Sequence, residues 1–387
     1  MNIKSLILGS ATAALAATGA QAADAIVIAE PEPVEYVRIC DVYGAGFFYI
    51  PGTETCLRIG GEVRVQLGTG DSDIGNYNGM ANDQWHSRAR GRIYFDTRSE
   101  TEYGLLRGYV RLDLQKTNTE FSGSQLVNHV WLSLGGFRAG WTDSAWVSTP
   151  QGGVAAGGSH TDNGFFYGYH QTHLIQYNFS GSNGFFATGS VEFDETQNGS
   201  NVANNYTPDL VGVVGVNQGW GAAWLKVGYD SDINGTGRDA VDSGFGVTAG
   251  LHYNIPGAPG SSFRLLGYYA DSDNTFNPLT GTGLAAWNDG VGSYGGPEWS
   301  VMASYHHQFN AKFGASIGVQ WFNDFYFTGT DVNTGLDGWA VELAAVWTPV
   351  QNFTVRTEVI YSDFDTAAGS VIDGDSVSGF VRFSRFF

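Results

Sequence analysis

The feature that most constrains this chain is a period of two. From Leu57 to Leu67, one set of alternate residues is Leu57, Ile59, Gly61, Val63, Val65 and Leu67, and the other is Arg58, Gly60, Glu62, Arg64 and Gln66. In an extended strand the two sets point to opposite faces, so this stretch has one apolar side and one watered side. The same division recurs. In 104–114, Leu106, Gly108, Val110, Leu112 and Leu114 oppose Arg107, Tyr109, Arg111 and Asp113. In 338–348, Trp339, Val341, Leu343, Ala345 and Trp347 oppose Glu342, and in 352–361, Phe353, Val355, Thr357, Val359 and Tyr361 oppose Arg356 and Glu358.

Sixteen segments of this kind follow one another: 57–67, 89–97, 104–114, 125–134, 137–141, 173–179, 184–193, 209–216, 220–230, 245–254, 261–270, 299–309, 312–322, 338–348, 352–361 and 375–387. Their connections alternate between long (68–88, 115–124, 142–172, 194–208, 231–244, 271–298, 323–337, 362–374) and short, such as 135–136, 310–311 and 349–351. Sorting long loops to one end and tight turns to the other is expected of an all-β, antiparallel transmembrane β-barrel, and a soluble sandwich or propeller has no need of it. Aromatics at strand ends beside the short turns (Phe179 and Phe185, Phe309 and Phe313, Trp347 and Phe353) read as an interfacial girdle. The final strand also closes on an aromatic, Phe387.

Composition removes the competing classes. With 14% aromatics and only 15% charged residues the chain is not of the disordered type, and its 55 glycines follow no triplet period. A formal charge of −19 argues against nucleic acid as a partner. Mean hydropathy of −0.14 agrees with the absence of long apolar helical spans.

The first 22 residues read as a signal peptide. Lys4 supplies the positive start, Leu6 to Ala17 the apolar stretch, and Ala20-Gln21-Ala22 the small-x-small cleavage pattern, with Ala23 as the alternative last residue. The mature chain is therefore expected to be exported, with residues 23–56 preceding the barrel of 57–387 as a periplasmic segment. The two cysteines, Cys40 and Cys56, read as a disulfide in that setting, closing a small lobe; a metal site is the weaker reading, since no His lies nearby.

The stretch Cys40-Asp-Val-Tyr-Gly-Ala-Gly-Phe-Phe-Tyr-Ile-Pro-Gly-Thr-Glu-Thr-Cys56, continued by Leu57-Arg-Ile-Gly-Gly61, resembles the opening of the alphaproteobacterial general porins of the Brucella and rhizobial type. The resemblance extends to Phe387. It implies a sixteen-stranded outer-membrane porin, a homotrimer seated among lipid and lipopolysaccharide, that passes small hydrophilic solutes without a cofactor. It also implies that the third long loop, 142–172, folds inward and narrows the bore.

The charges give the bore a candidate selectivity device. Nine of the fifteen arginines lie between Arg58 and Arg138, and Arg58, Arg64, Arg90, Arg92, Arg107 and Arg111 share the watered face in this register. Arginine keeps its charge at any working pH, so neighbouring strands would stack a permanently basic wall. Asp143 and Asp162 of the inward loop would then oppose it across water, setting up a transverse field. Glu62, Asp96 and Asp113 lie on the same face as the arginines and allow ordinary ion pairing instead. The loop acids could likewise belong to a solvated surface loop. Many other acids, among them Asp230, Asp242, Asp271, Asp273, Asp331 and Asp363, fall in or at the edge of long connections and would make a negative vestibule that favours cations, against the pull of the wall.

Little supports catalysis. No nucleophile elbow, zinc-binding helix motif or phosphate loop occurs, and the eight His are scattered, with His306 and His307 alternating to opposite faces. Asp230 to Asp239 begins like a calcium loop but has Val241 where the bidentate Glu belongs. The alternatives are a plugged structural or adhesin barrel and, more remotely, an outer-membrane hydrolase.

Overall fold

A computed structural model describes residues 38–72, 84–118, 124–148, 159–161, 165–193, 206–233, 240–279, 294–366 and 374–387. The signal-peptide reading of 1–22 lies outside them, as do Asp162 and most of the calcium-like loop. Residues Ile39–Phe387 form one compact unit.

A two-residue strand, β1 (Phe48–Tyr49), precedes sixteen long ones. These are β2 (Cys56–Ser72), β3 (Gln84–Thr101), β4 (Gly104–Thr117), β5 (Ser124–Leu134), β6 (Phe137–Asp143), β7 (Gln171–Ser180), β8 (Phe185–Phe193) and β9 (Asp209–Gln218). They continue as β10 (Gly221–Asp230), β11 (Gly244–Asn254), β12 (Ser262–Ala270), β13 (Tyr294–Asn310), β14 (Phe313–Phe327), β15 (Leu336–Val350), β16 (Phe353–Thr366) and β17 (Gly374–Phe386). Each expected segment coincides with one of these strands to within a few residues at its ends. Every strand pairs antiparallel with its sequence neighbours, and β17 pairs with β2, which closes the cylinder. Backbone bonds in both directions between Gly61 and Phe387, at 3.0 and 3.1 Å, finish the seam. Closure leaves no sheet edge, the condition a strand protein must meet in lipid.

The alternation lands as the period demands. Ile59, Val63, Val65 and Leu67 of β2 stand exposed outside, while Glu62 and Gln66 are buried on the inner side. Exposed aromatics gather in two bands. Near the short turns, Phe179 packs on Phe185 (ring centroids 6.2 Å apart) and Phe309 on Phe313 (5.5 Å). Towards the long loops, Tyr269 packs on Trp299 (4.6 Å) and Trp339 on Tyr361 (5.4 Å). Two rings of amphipathic side chains bounding an apolar belt are the expected seat in a bilayer.

The cysteines are joined, Cys40 to Cys56, with Cα atoms 6.0 Å apart, and their small lobe buries Phe47 at the short-turn end of β2.

The inner surface is not uniformly polar. A large apolar cluster lies inside the barrel, made by Trp146, Phe165 and Phe166 of the third loop against Phe186, Trp224, Tyr268, Phe322 and Phe364 of the strands from β8 to β16, with Phe276 of the loop after β12. Water therefore does not reach the whole inner face.

Candidate functional site

The basic wall rises from strand register. Across β2, β3 and β4, Arg64 pairs with Arg90, Glu62 with Arg92 and Arg92 with Asp113, so the side chains of a row meet on one face. All six expected arginines are there. A middle tier holds Arg64, Arg90, Arg92 and Arg111. Arg92 grips Asp113 with two bonds of 2.8 Å, Arg90 approaches the same carboxylate at 3.5 Å and donates to Gln115 at 2.9 Å, and Arg64 meets Glu62 at 3.0 Å. Arg111 donates to Asn128.

A lower tier sits toward the short turns. Asp96 is fully buried between Arg107 (2.7 and 2.9 Å) and Arg98 (3.2 and 2.8 Å). Here the guanidinium planes lie on aromatic rings: Arg107 and Arg138 on Trp131, at 4.9 and 4.2 Å, and Arg58 on Phe47 and Tyr94, at 5.2 and 5.3 Å. Tyr94, Tyr109 and Trp131 themselves stack from strand to strand, with centroids 5.9 and 5.3 Å apart. Ring faces hold a guanidinium flat and leave its edges for hydrogen bonds, which keeps the charges fixed. Arg88, Arg98, Arg138 and the aromatic support are not among the residues expected from the sequence, although each follows from the parity of its strand. The ion-pairing alternative is thus real for Arg64, Arg90, Arg92 and Arg107. The wall keeps a basic excess nonetheless, since Glu62, Asp96, Glu100, Asp113 and Asp143 face nine arginines over β2–β6.

Asp143 requires a correction. The strand expected over 137–141 runs on to Asp143, so this residue belongs to the arginine side and not to a loop facing it. It accepts a 2.9 Å hydrogen bond from Gln171 and lies 3.9 Å from His129, the cross-strand neighbour of Arg111.

The third loop is tied to the opposite inner surface. Just after β6, the backbone N–H of Ala145 donates to buried Glu192 on β8 (2.9 Å), and the Nζ of fully buried Lys226 on β10 donates to the carbonyls of Trp146 (2.7 Å) and Val147 (3.2 Å). On the return leg, Gln320 of β14 brackets Phe166, accepting from its N–H at 2.8 Å and donating to its carbonyl at 2.7 Å. Phe165 lies over Gly318 so closely that a Cβ there would sit 2.4 Å from its ring. Gly168, at φ +73°, passes where a Cβ would collide with the Asn277 carbonyl and the Trp146 indole. Bare backbone at these two positions lets the loop lie flat on the wall. Between the legs, the tip at 159–161 meets β12, β13 and β15 through His160, Ser159 and Thr161.

Two vestibule acids also depart from expectation. Asp273 is buried and bonded to the N–H groups of Gly296 (2.7 Å) and Gly329 (2.9 Å), and burial pushes its carboxyl up. Asp230 likewise caps Asp232 (3.0 Å) and Thr275 (2.8 Å). Both organise loops rather than line open water. Among the described residues no cluster of His, Cys, Asp and Glu could hold a metal.

Comparison with known proteins agrees with this geometry. Residues 24–379 match the family described as the Porin subfamily. The chain is 34% identical over 404 residues to Porin Omp2b of Brucella suis, with both chains covered in full. Among solved structures it resembles the outer membrane channel DcaP of Acinetobacter baumannii (TM-score 0.67, 15% identity, 88% of this chain and 99% of that one). It also resembles the trimer form of OmpT, an outer membrane protein of Vibrio cholerae (TM-score 0.54, 14% identity, 87% and 100%).

Proposed function

The chain belongs to the porin subfamily, and from that premise we propose that its selectivity arises where the arginine wall of β2–β6 faces the third loop across the bore. It is an outer-membrane channel for passive diffusion, and family membership implies a channel rather than an enzyme. In our reading the third loop, 142–172, narrows the passage from the far side. Arg58, Arg64, Arg90, Arg92, Arg107 and Arg111 supply the basic side, and Asp162, outside the described residues, is the acid we assign to the loop. Asp143 tempers Arg111 from within the wall.

The observation that carries this reading is the unequal charge of the two sides. Nine arginines face inward over five strands, whereas the opposite inner surface is covered by an apolar, hydrogen-bonded loop. Fixed charge on one side of a narrow aqueous passage orients dipolar solutes and raises the cost of entry for apolar ones. The Arg–Asp pairs hold the guanidinium groups in place, and the basic excess leaves a field. The acids of the long loops contribute a more distant, salt-screened attraction for cations, since the Debye length is about 10 Å at 0.1 M.

The solutes are small and hydrophilic, the short-turn end with its disulfide lobe faces the periplasm, and the assembly is a homotrimer surrounded by lipid and lipopolysaccharide. Support for the trimer comes from the trimer form of the Vibrio cholerae neighbour. The test is reversal potential in a salt gradient across a planar bilayer. Replacing Arg107 and Arg111 together with Gln is expected to move it toward cations; an unmoved potential would take these two out of the filter.

A further inference from the structure

The legs and the tip of the third loop are held by different chemistry. The legs hang on a buried lysine, a buried glutamate and a glutamine amide. The tip hangs on histidines and one arginine. Arg264, on β12, donates from Nη1 to the carbonyl of Ser159 at 3.0 Å and from Nε to Nδ1 of His252 at 3.0 Å. A ring nitrogen that accepts a hydrogen bond carries no proton, so this contact requires His252 to be neutral with its hydrogen on Nε2. Nε2 in turn reaches Asn254 Oδ1 at 3.2 Å. Beside this chain, His160 of the tip is held between Ser262 and Ser304, both at 2.8 Å.

We propose that Arg264, aimed by the unprotonated Nδ1 of His252, is the positioning residue that fixes the tip of the third loop and thereby the cross-section of the bore, and that protonation of His252 releases it. This rests on the reading that the loop narrows the passage. A proton on Nδ1 would point at the Arg264 Nε–H, replacing a hydrogen bond with two opposed donors and a like-charge contact. The guanidinium must then turn away, and the Ser159 carbonyl loses its partner.

The surroundings oppose that added charge from each packed element. Arg264 faces His252 from β12, and His160 faces it from the loop with ring centroids 5.9 Å apart. His306 on β13 lies behind His160, stacked at 5.7 Å, and is itself bonded to Ser316 and Gln308. On β10 the register partner is Ala222, which carries no charge. The acid beside the tip is Glu342, which lies next to Thr161 from β15 and next to Glu358 and Arg356 on β16. Burial, reinforced by Arg264, His306 and His252, pushes His160 down to about 3. A histidine whose folded value lies below its unfolded one of about 6.5 favours the latched state above that pH, and the preference is lost progressively as pH falls from about 6.5 toward 3. Acid therefore loosens the tip while the legs hold.

Two measurements on the full-length protein test the latch separately from the constriction. Amide hydrogen exchange of the peptide spanning 159–161 reads the tip, and single-channel conductance in a planar bilayer reads the bore. Arg264→Gln is expected to raise tip exchange roughly tenfold at neutral pH, the factor for losing one hydrogen bond to a charged group. It should raise conductance on the order of 1.5-fold, as opening a gap beside the loop would. His252→Asn places an amide oxygen where Nδ1 stood, so it should keep the tip protected at neutral pH and weaken the acid response expected of the native chain, leaving the share that His160 carries. Native tip protection in Arg264→Gln, or an unchanged acid response in His252→Asn, overturns the latch. Faster exchange with unchanged conductance and pH profile keeps the tip contact but overturns its control of the bore, and with it the reading of the loop as the constriction.

Discussion

The two inner walls of this barrel are built on opposite principles. On β2–β6 the inward residues are charged, long and held by one another: Asp113 anchors Arg92 and Arg90, Asp96 anchors Arg98 and Arg107, and Trp131 carries Arg107 and Arg138 on its ring. On β8–β16 the inward surface carries the rings of Phe186, Trp224, Tyr268, Phe322 and Phe364 beside scattered polar and charged groups such as Glu192, Lys226 and Gln320, and the third loop packs on them. Trp146 packs on Phe276 (5.5 Å) and Tyr268 (6.4 Å), and Phe166 on Phe322 (6.1 Å). One wall is organised for contact with water and ions, the other as a core. The chain thus places a soluble-protein interior inside a membrane cylinder, and the described parts of the third loop are held there largely by hydrophobic burial. It follows that stability and selectivity should separate by wall.

The far wall should show the largest stability effects. Trp146→Ala removes a fully buried ring at the root of the loop and is expected to cost about 3–5 kcal/mol in denaturant unfolding. A cost below 1 kcal/mol would mean that the loop does not form part of the core. Next comes Asp113→Asn, which keeps the shape but removes the anion that Arg92 grips; it should cost about 1–3 kcal/mol and also make the passage more anion-attracting. A loss of stability with no change in reversal potential would assign Asp113 to structure alone. Gln320→Leu strips both hydrogen bonds from Phe166 and should raise single-channel noise and conductance while leaving ion preference close to native. A shift in ion preference as large as that of the arginine variants would erase the distinction between the walls. The smallest effect is expected for Asp143→Asn, a slight move of reversal potential toward anions with stability unchanged within about 0.5 kcal/mol, since the residue is partly exposed and one step removed from Arg111.

The sequence made the outer surface and the arginine wall legible for one physical reason. Lipid outside and water inside impose opposite demands on successive side chains, so parity carries the information: Val63 and Val65 outward, Arg64 and Gln66 inward. His306 and His307 obey it too, the first bonded to Ser316 inside, the second against Phe309 in the girdle (4.5 Å). Parity fails where both faces are apolar. Phe322 and Phe364 point inward between residues that also tolerate lipid, so alternation there carries no contrast, and the loop-covered core stays hidden. Their presence at inward positions was the available signal. For Asp143 the strand boundary decides: β6 runs two residues past the alternating stretch 137–141, which puts Asp143 on the wall and not in the loop. The arginine–ring stacks depend on which rows align across three strands, a matter of register that one strand's pattern does not contain.

The central claim is an open aqueous bore, and the most direct measurement is electrical. Detergent-purified protein added to a planar bilayer under a salt gradient is expected to give stepwise, ohmic conductance increments with a finite reversal potential. Intact β-sheet circular dichroism accompanied by a silent bilayer would contradict the account, because a barrel that folds yet passes no ions has a plugged interior.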